Sequence, residues 1–66
     1  MELKDRLKQL RLDSKKTQKE VAQSLGIKEQ AYQKYEYGTI TPRIDIIIKL
    51  SNIYNVTTDY ILKGVK

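Results

Sequence analysis

The sequence predicts an all-α fold of five short helices in one domain spanning residues 1–66. Apolar residues recur at helical spacing along the chain instead of alternating as they would in strands. Glycines 26, 38 and 64 each stand just after such a segment, where a helix stop is expected. The one proline, Pro42, follows a loop-like run and suits the first turn of a further helix.

The first helix is expected from Glu2 to about Ser14. Leu3, Leu7 and Leu10 supply its inner stripe, with Leu12 as a further candidate, while Lys4, Arg6 and Lys8 stay outside. Lys15 and Lys16 make the connection. In the next segment Val21, Ala22 and Leu25 share one helical face, and Thr17 with Glu20 three residues later forms the capping-box pattern. Gly26 breaks that helix and Ile27 is an apolar plug. A third helix runs from about Lys28 to Tyr37, with Ala31, Tyr32 and Tyr35 inward and Gly38 as its stop. Thr41 is expected to cap a fourth helix running from Pro42 to Tyr54. Ile44, Ile47, Ile48, Leu50, Ser51 and Tyr54 can cover the core there, whereas Ile46 and Ile53 fall toward a second face. A wide buried stripe is the first reading of that excess, a partner surface the second. Asn55 suits a left-handed helix end with Val56 packing back, and Thr57 or Thr58 caps a last short helix through Asp59 to Lys63.

Sixty-six residues make one of the smallest domains that folds unaided, so marginal stability is expected. The chain has no cysteine, which removes a disulfide framework, and no histidine, the commonest general base. Its longest apolar run, Ile46 to Ile48, cannot span a membrane and no signal-peptide core is visible, so the expectation is a soluble cytoplasmic protein. The net charge is +5, and residues 1–19 hold seven Lys/Arg against three acids, or +4, leaving +1 for the remainder. A solvated helix face would explain that bias by itself; beside a nucleic-acid-binding motif it marks the part that approaches phosphate.

Two short helices joined by a glycine-containing turn form the helix-turn-helix unit, whose second helix can lie in a DNA major groove. An ordinary hairpin of a helical bundle would accommodate any single feature of residues 17–38. Small Ala22, Gly26 at the turn, Ile27 after it and large apolar groups at 32 and 35 together favour the DNA-binding unit. The stretch TQKEVAQSLGIKEQAYQKYEYG resembles the signature of the Cro/cI-type (XRE) helix-turn-helix family of small stand-alone phage or bacterial regulators. The resemblance extends to Leu7, Leu10 and Arg11 upstream and to Pro42, Leu50, Val56, Asp59, Tyr60 and Ile61 downstream, nearly the whole chain. Lys16 departs from it, standing where the family usually has an apolar residue.

The resemblance implies a lambda-repressor-like fold and a transcriptional regulator, expected to be a repressor, acting as a homodimer on a near-palindromic double-stranded operator. Its motif positions assign Lys28, Glu29, Gln30 and Gln33 to base edges. They assign Gln18, Lys34, Tyr37, Thr39 and Arg43 to phosphate. Gln30 and Gln33 can bond adenine N6/N7, and Glu29 can accept from cytosine N4, act as a filter or pair with a neighbouring lysine. An Arg11–Glu36 ion pair is implied between the first and third helices. Ile40, Arg43, Ile53, Tyr60 and Leu62 are implied as a dimer interface.

No convergent set of titratable groups, phosphate loop or metal constellation is visible, so neither an enzyme nor a cofactor or small-molecule ligand is expected. Glu2, Asp5, Asp13, Glu20, Glu29, Asp45 and Asp59 are read as scattered, solvated acids. Tyr32 and Tyr35 are read as core, Tyr37 as exposed. The alternative function is an antitoxin-like module that masks another protein, motivated by the apolar excess of the fourth helix.

Overall fold

Helix ends leave backbone groups without intrahelical partners, and this chain supplies a partner at most of them. The computed structural model describes residues 1–65. In it α1 spans Leu3–Asp13, α2 Gln18–Leu25, α3 Glu29–Tyr37, α4 Ile44–Tyr54 and α5 Thr58–Lys63. At the start of α2 the Glu20 N–H donates to the Thr17 hydroxyl at 3.1 Å, and the Thr17 N–H donates to the Glu20 carboxylate at 2.8 Å. Thr57 caps α5 in the same way, accepting from the Tyr60 N–H at 3.0 Å. Gly26 ends α2 at φ 74°, and Asn55 ends α4 at φ 55°. Gly38 ends α3 at φ 82°, a conformation that strains any residue with a Cβ.

Two local features differ from the sequence expectation. Lys15 takes a left-handed conformation at φ 57°, an unusual choice for a non-glycine residue. The turn is held because the Lys16 N–H donates to the Arg11 carbonyl at 3.2 Å, while the Lys16 carbonyl accepts from Arg11 Nη1 at 3.1 Å. The helix expected from Pro42 with Thr41 as its cap begins instead at Ile44 with Arg43 at the N-cap. Thr41 stays exposed and takes no part in the cap, and the chain turns the Pro42 ring into the core before the helix begins. Pro42 itself is buried one position before the cap, and Ile47 is buried at the fourth helical position, the two places a hydrophobic staple joins.

The core gathers Leu7 from α1, Val21, Ala22 and Leu25 from α2, Tyr32 from α3, Ile46, Ile47, Leu50 and Tyr54 from α4, and Ile61 from α5. Leu3, Leu10, Ile27, Tyr35, Ile53 and Val56 pack around it half-buried. Leu12 is exposed, beyond the stripe of Leu3, Leu7 and Leu10. On α4 the apolar surplus resolves differently from the expectation. Ile44 and Ile48, expected inside, are 63% and 49% exposed, whereas Ile46, expected toward a second face, is buried. The helix packs against α2 and α5 along one stripe, and Ile44 and Ile48 lie a turn apart beyond its edge.

Arg6, expected in solvent, is 7% exposed. Its Nε donates to the Ile61 carbonyl at 2.8 Å and its Nη2 to the Leu62 carbonyl at 2.9 Å; Nη1 reaches the Met1 carbonyl. Ile61 and Leu62 lie in the last turn of α5, whose carbonyls lack intrahelical donors, so one guanidinium fastens α5 to α1 and places a cation at a helix C-terminus.

A second, half-buried guanidinium organises the other side. Arg11 grips Glu36 through Nε to Oε2 at 2.7 Å and Nη2 to Oε1 at 3.1 Å, the paired geometry that makes such contacts strong. Gln18 Nε2 donates to the same Oε1 at 3.1 Å, so α1, α2 and α3 meet at one carboxylate. One turn before Glu36, the Tyr32 hydroxyl lies 3.0 Å from that of Tyr54, which ties α3 to α4. Burial pushes the Glu36 carboxyl up. The hydrogen bonds from Arg11 and Gln18, the nearby Tyr32 hydroxyl and the Arg11 charge outweigh it and hold the group below its ordinary value. Burial also raises the Tyr32 and Tyr54 hydroxyls, keeping both protonated. Among the described residues no buried side-chain nitrogen or oxygen lacks a hydrogen-bond partner.

Removing one member of such a buried pair strands the other. Arg11→Ala is therefore expected to cost about 3 kcal/mol, which for a domain of this size lowers Tm by more than about 10 °C. Glu36→Ala should cost a similar amount, and the double variant clearly less than the sum, measured by thermal melts as a double-mutant cycle. Because the Glu36 pKa is lowered on folding, its contribution is complete above the ordinary glutamate value of 4.5 and is lost as pH falls below it. Glu36→Gln should then flatten the acid limb of a Tm-against-pH curve while lowering Tm at neutral pH. Arg6→Met, which leaves the α5 carbonyls unpaired, should cost about 1–3 kcal/mol in the same melts.

Candidate nucleic-acid interface

The turn between α2 and α3 is short because Gly26 reverses the chain in one residue and Ile27 anchors it. The Ile27 N–H donates to the Ala22 carbonyl at 3.0 Å, and its side chain sits half-buried against the core. Ala22, nearly inaccessible, lets the two helices approach. This fixes α3 with Tyr32 and Glu36 inside and Ala31 and Tyr35 at the margin, Tyr35 meeting Tyr32 edge-on at 6.2 Å between ring centres. The opposite face of α3 is polar. Glu29, Gln30, Lys34 and Tyr37 are exposed, as is Lys28 at the N-cap, and Gln33 is half-buried.

Two of the residues assigned to phosphate come together with a cationic surround. Lys8 and Lys16 share one open cleft with Gln18, Glu29 and Tyr37, between α1, the start of α2 and α3. The N-terminus of α2, where backbone N–H groups and the helix dipole favour an anion, lies in the same cleft at Thr17 and Gln18. Neither Lys8 nor Lys16 was assigned to phosphate by motif position; the signals available were the +4 charge of residues 1–19 and the departure at Lys16. Lys16, which departs from the family pattern, is tied back to α1 because its carbonyl accepts from Arg11 Nη1 at 3.1 Å.

Apart from Glu29, the other residues assigned to bases or phosphate lie outside that cleft's lining. Lys34 is exposed on α3, and Thr39 is exposed with its N–H bonded to the Lys34 carbonyl at 3.0 Å. Arg43 is exposed at the N-cap of α4, its Nε 3.8 Å from Asp45. Among the described residues Glu29 pairs with no lysine; its Oε2 accepts from Gln33 Nε2 at 3.4 Å, one turn along the helix. Of the residues implied for a dimer interface, Ile40 and Leu62 are exposed, whereas Ile53 and Tyr60 are half-buried, Ile53 being packed on the core. The arrangement can bind an anion in the cleft and present hydrogen-bonding side chains along α3. Among the described residues no cluster of three acidic, histidine or cysteine side chains is placed to hold a metal, and no helix is long and apolar enough to cross a membrane.

Comparison with known proteins agrees with this geometry. The helix-turn-helix family model matches residues 7–61. The SPbeta prophage-derived uncharacterized HTH-type transcriptional regulator YonR of Bacillus subtilis (strain 168) is 45% identical over 60 residues, covering 91% of this chain and 56% of that protein. The HTH-type transcriptional regulator ImmR of the same strain is 45% identical over 62 residues, 94% of this chain and 49% of its own length. The chain thus spans about half the length of these curated relatives. The P22 c2 repressor protein, crystallised in complex with synthetic operator 9T, has the same fold, with a TM-score of 0.92 over 98% of both chains at 23% identity. A family model that fits from α1 to α5, and relatives that share nearly half of its residues, show that this chain belongs to the Cro/cI-type helix-turn-helix family.

Proposed function

We propose that the chain is a sequence-specific DNA-binding transcriptional regulator, a cytoplasmic repressor that acts as a homodimer on a near-palindromic operator with α3 in the major groove. The observation that carries this reading is the polar face of α3, held from behind by the buried Glu36 and flanked by a cleft containing Lys8, Lys16 and the N-terminus of α2. Phosphate in that cleft would fix register, and α3 would then meet base edges with Gln30 and Gln33. The relatives named above as transcriptional regulators, and the P22 c2 repressor seen with an operator, support the same reading. Lys28 at the start of α3 joins the base-edge set, and Lys34, Tyr37, Thr39 and Arg43 the phosphate set.

A single recognition helix reads too few base pairs for useful specificity, which argues for two copies. The loop before α4, the end of α4 and the α5 surface, with Ile40, Arg43, Ile53, Tyr60 and Leu62, form the interface we assign to them. A second reading, a module that docks on another protein, draws on the exposed Ile44 and Ile48 of α4. Gel filtration with and without an operator-length duplex separates the two: a monomer without salt-sensitive DNA affinity would favour the second.

Base and phosphate contacts differ in what they change. Gln30→Ala or Gln33→Ala should weaken operator binding by about 1–3 kcal/mol and leave scrambled-duplex binding nearly unchanged. Lys8→Ala, Lys16→Ala, Lys34→Ala or Arg43→Ala should weaken both and reduce the salt slope by about one unit of log K per log salt. Gln18→Ala should weaken both with little change in slope, since glutamine carries no charge. Titrations on both duplexes at several salt concentrations decide this, and an operator preference intact in both glutamine variants would sink the assignment of α3 as reader. For the dimer, footprinting should show paired half-sites ~10 bp apart between centres; one isolated half-site protected at full affinity would refute it.

A further inference from the structure

An acid on a helix face meant for DNA needs an explanation, because phosphates repel it. Glu29 is exposed in the first turn of α3, and among the described residues it takes part in no ion pair. Its one side-chain partner is the amide of Gln33, whose Nε2 donates to Glu29 Oε2 at 3.4 Å. A carboxylate can only accept hydrogen bonds, so it distinguishes the two ends of that amide: the nitrogen turns toward Glu29 and the carbonyl oxygen turns away. One N–H is thereby turned toward the carboxylate. What remains on Gln33 is one N–H beside one carbonyl oxygen, a donor next to an acceptor.

In the major groove that pair matches adenine, which presents N7 as acceptor and its N6 amino group as donor. Guanine presents two acceptors, N7 and O6, so the fixed carbonyl would face an oxygen. We infer that Glu29 is a positioning residue for base recognition: it orients the Gln33 amide so that Gln33 selects adenine over guanine. This rests on the DNA-binding reading above. Glu29 itself accepts nothing from a base and acts through Gln33.

Selection from a random duplex pool, followed by titration of the selected site and its adenine-to-guanine variant, tests this with wild type, Gln33→Ala, Glu29→Ala and Glu29→Gln. Wild type should prefer adenine at one half-site position by roughly 5- to 150-fold, the range of a good bidentate pair, and Gln33→Ala should erase that preference. Glu29→Ala should bring the same position toward parity. Glu29→Gln should retain most of the preference, because the glutamine carbonyl can still accept from Gln33. Both Glu29 variants remove the same charge and should raise scrambled-duplex affinity alike, so the difference between them isolates orientation from repulsion. Circular dichroism should show equal helix content in all four proteins, since neither side chain belongs to the core. An adenine preference untouched in Glu29→Ala would overturn the inference. So would loss in Glu29→Ala of a preference, such as one for cytosine, at a position that Gln33→Ala leaves intact. A wild-type chain that enriches sites without a Gln33-dependent adenine also overturns it, whereas one that enriches no sequence overturns the DNA reading beneath it as well.

Discussion

The architecture depends on one buried carboxylate. Glu36 receives Arg11 from α1 and Gln18 from α2, and one turn back on α3 the Tyr32 hydroxyl meets that of Tyr54 on α4. Helices α1 and α2 are therefore tied to α3 at the same point, and α4 is tied to it one turn away. An apolar side chain at position 36 could fill the space, and buried ion pairs often stabilise no better than such a replacement. What an apolar contact lacks is direction. The paired contacts to Arg11 and the single one to Gln18 fix how α3 is rotated and how far the start of α2 stands from it.

Directional contacts matter more in a chain this short. Ten residues make up the buried apolar cluster, and α5 contributes only Ile61 to it. One side chain in a groove sets a distance but little orientation, and a six-residue helix is marginal by itself. Arg6 supplies the missing constraint by bonding two carbonyls of the last turn of α5 at once. The two guanidiniums divide the work: Arg11 fixes the helix-turn-helix, and Arg6 fixes the helix that carries Tyr60 and Leu62 of the proposed dimer surface. Both lie on α1, which is why the most cationic part of the sequence is also a structural spine.

Features whose cause is local were legible in the sequence. The Thr17–Glu20 box, the stop at Gly26 and the left-handed Asn55 each depend on a few adjacent residues, and each stands where it was expected. The Arg11–Glu36 pair spans 25 residues and was accessible only through family resemblance. Arg6 was misread because charge was taken to mean solvent; its place three residues after Leu3 and one before Leu7 puts it within the inner stripe, and its partners are backbone carbonyls that no side-chain pattern reveals. On α4 the isoleucines are interchangeable by composition, so only the packing against α2 and α5 decides that Ile46 goes in and Ile44 and Ile48 stay out. The hydroxyls of Tyr32 and Tyr54 were likewise invisible, since burial of the rings gives no hint that their tips meet. For the candidate interface, motif position supplied the face of α3 and Gln18, whereas the lysines at 8 and 16 belong to the cleft through the turn at Lys15, a left-handed residue that no propensity favours.

The two faces of α3 use one device at different depths. Glu36 holds the amide of Gln18 inside the protein, and Glu29 holds the amide of Gln33 at its surface. In each case a carboxylate selects which end of a symmetric-looking group faces outward. The inner bond is shielded, braced by Arg11, and leaves Gln18 committed before any ligand arrives. The outer bond at 3.4 Å is long and solvated, so water competes with it in the free protein. It gains strength only where a bound duplex excludes that water, because hydrogen bonds strengthen as the local dielectric falls. An exposed acid on a DNA-facing helix then costs general affinity through repulsion, and returns it as discrimination only at sites where Gln33 finds a matching base. That division, a rigid inner carboxylate for geometry and a conditional outer one for selectivity, accounts for why α3 carries two glutamates, one on each face.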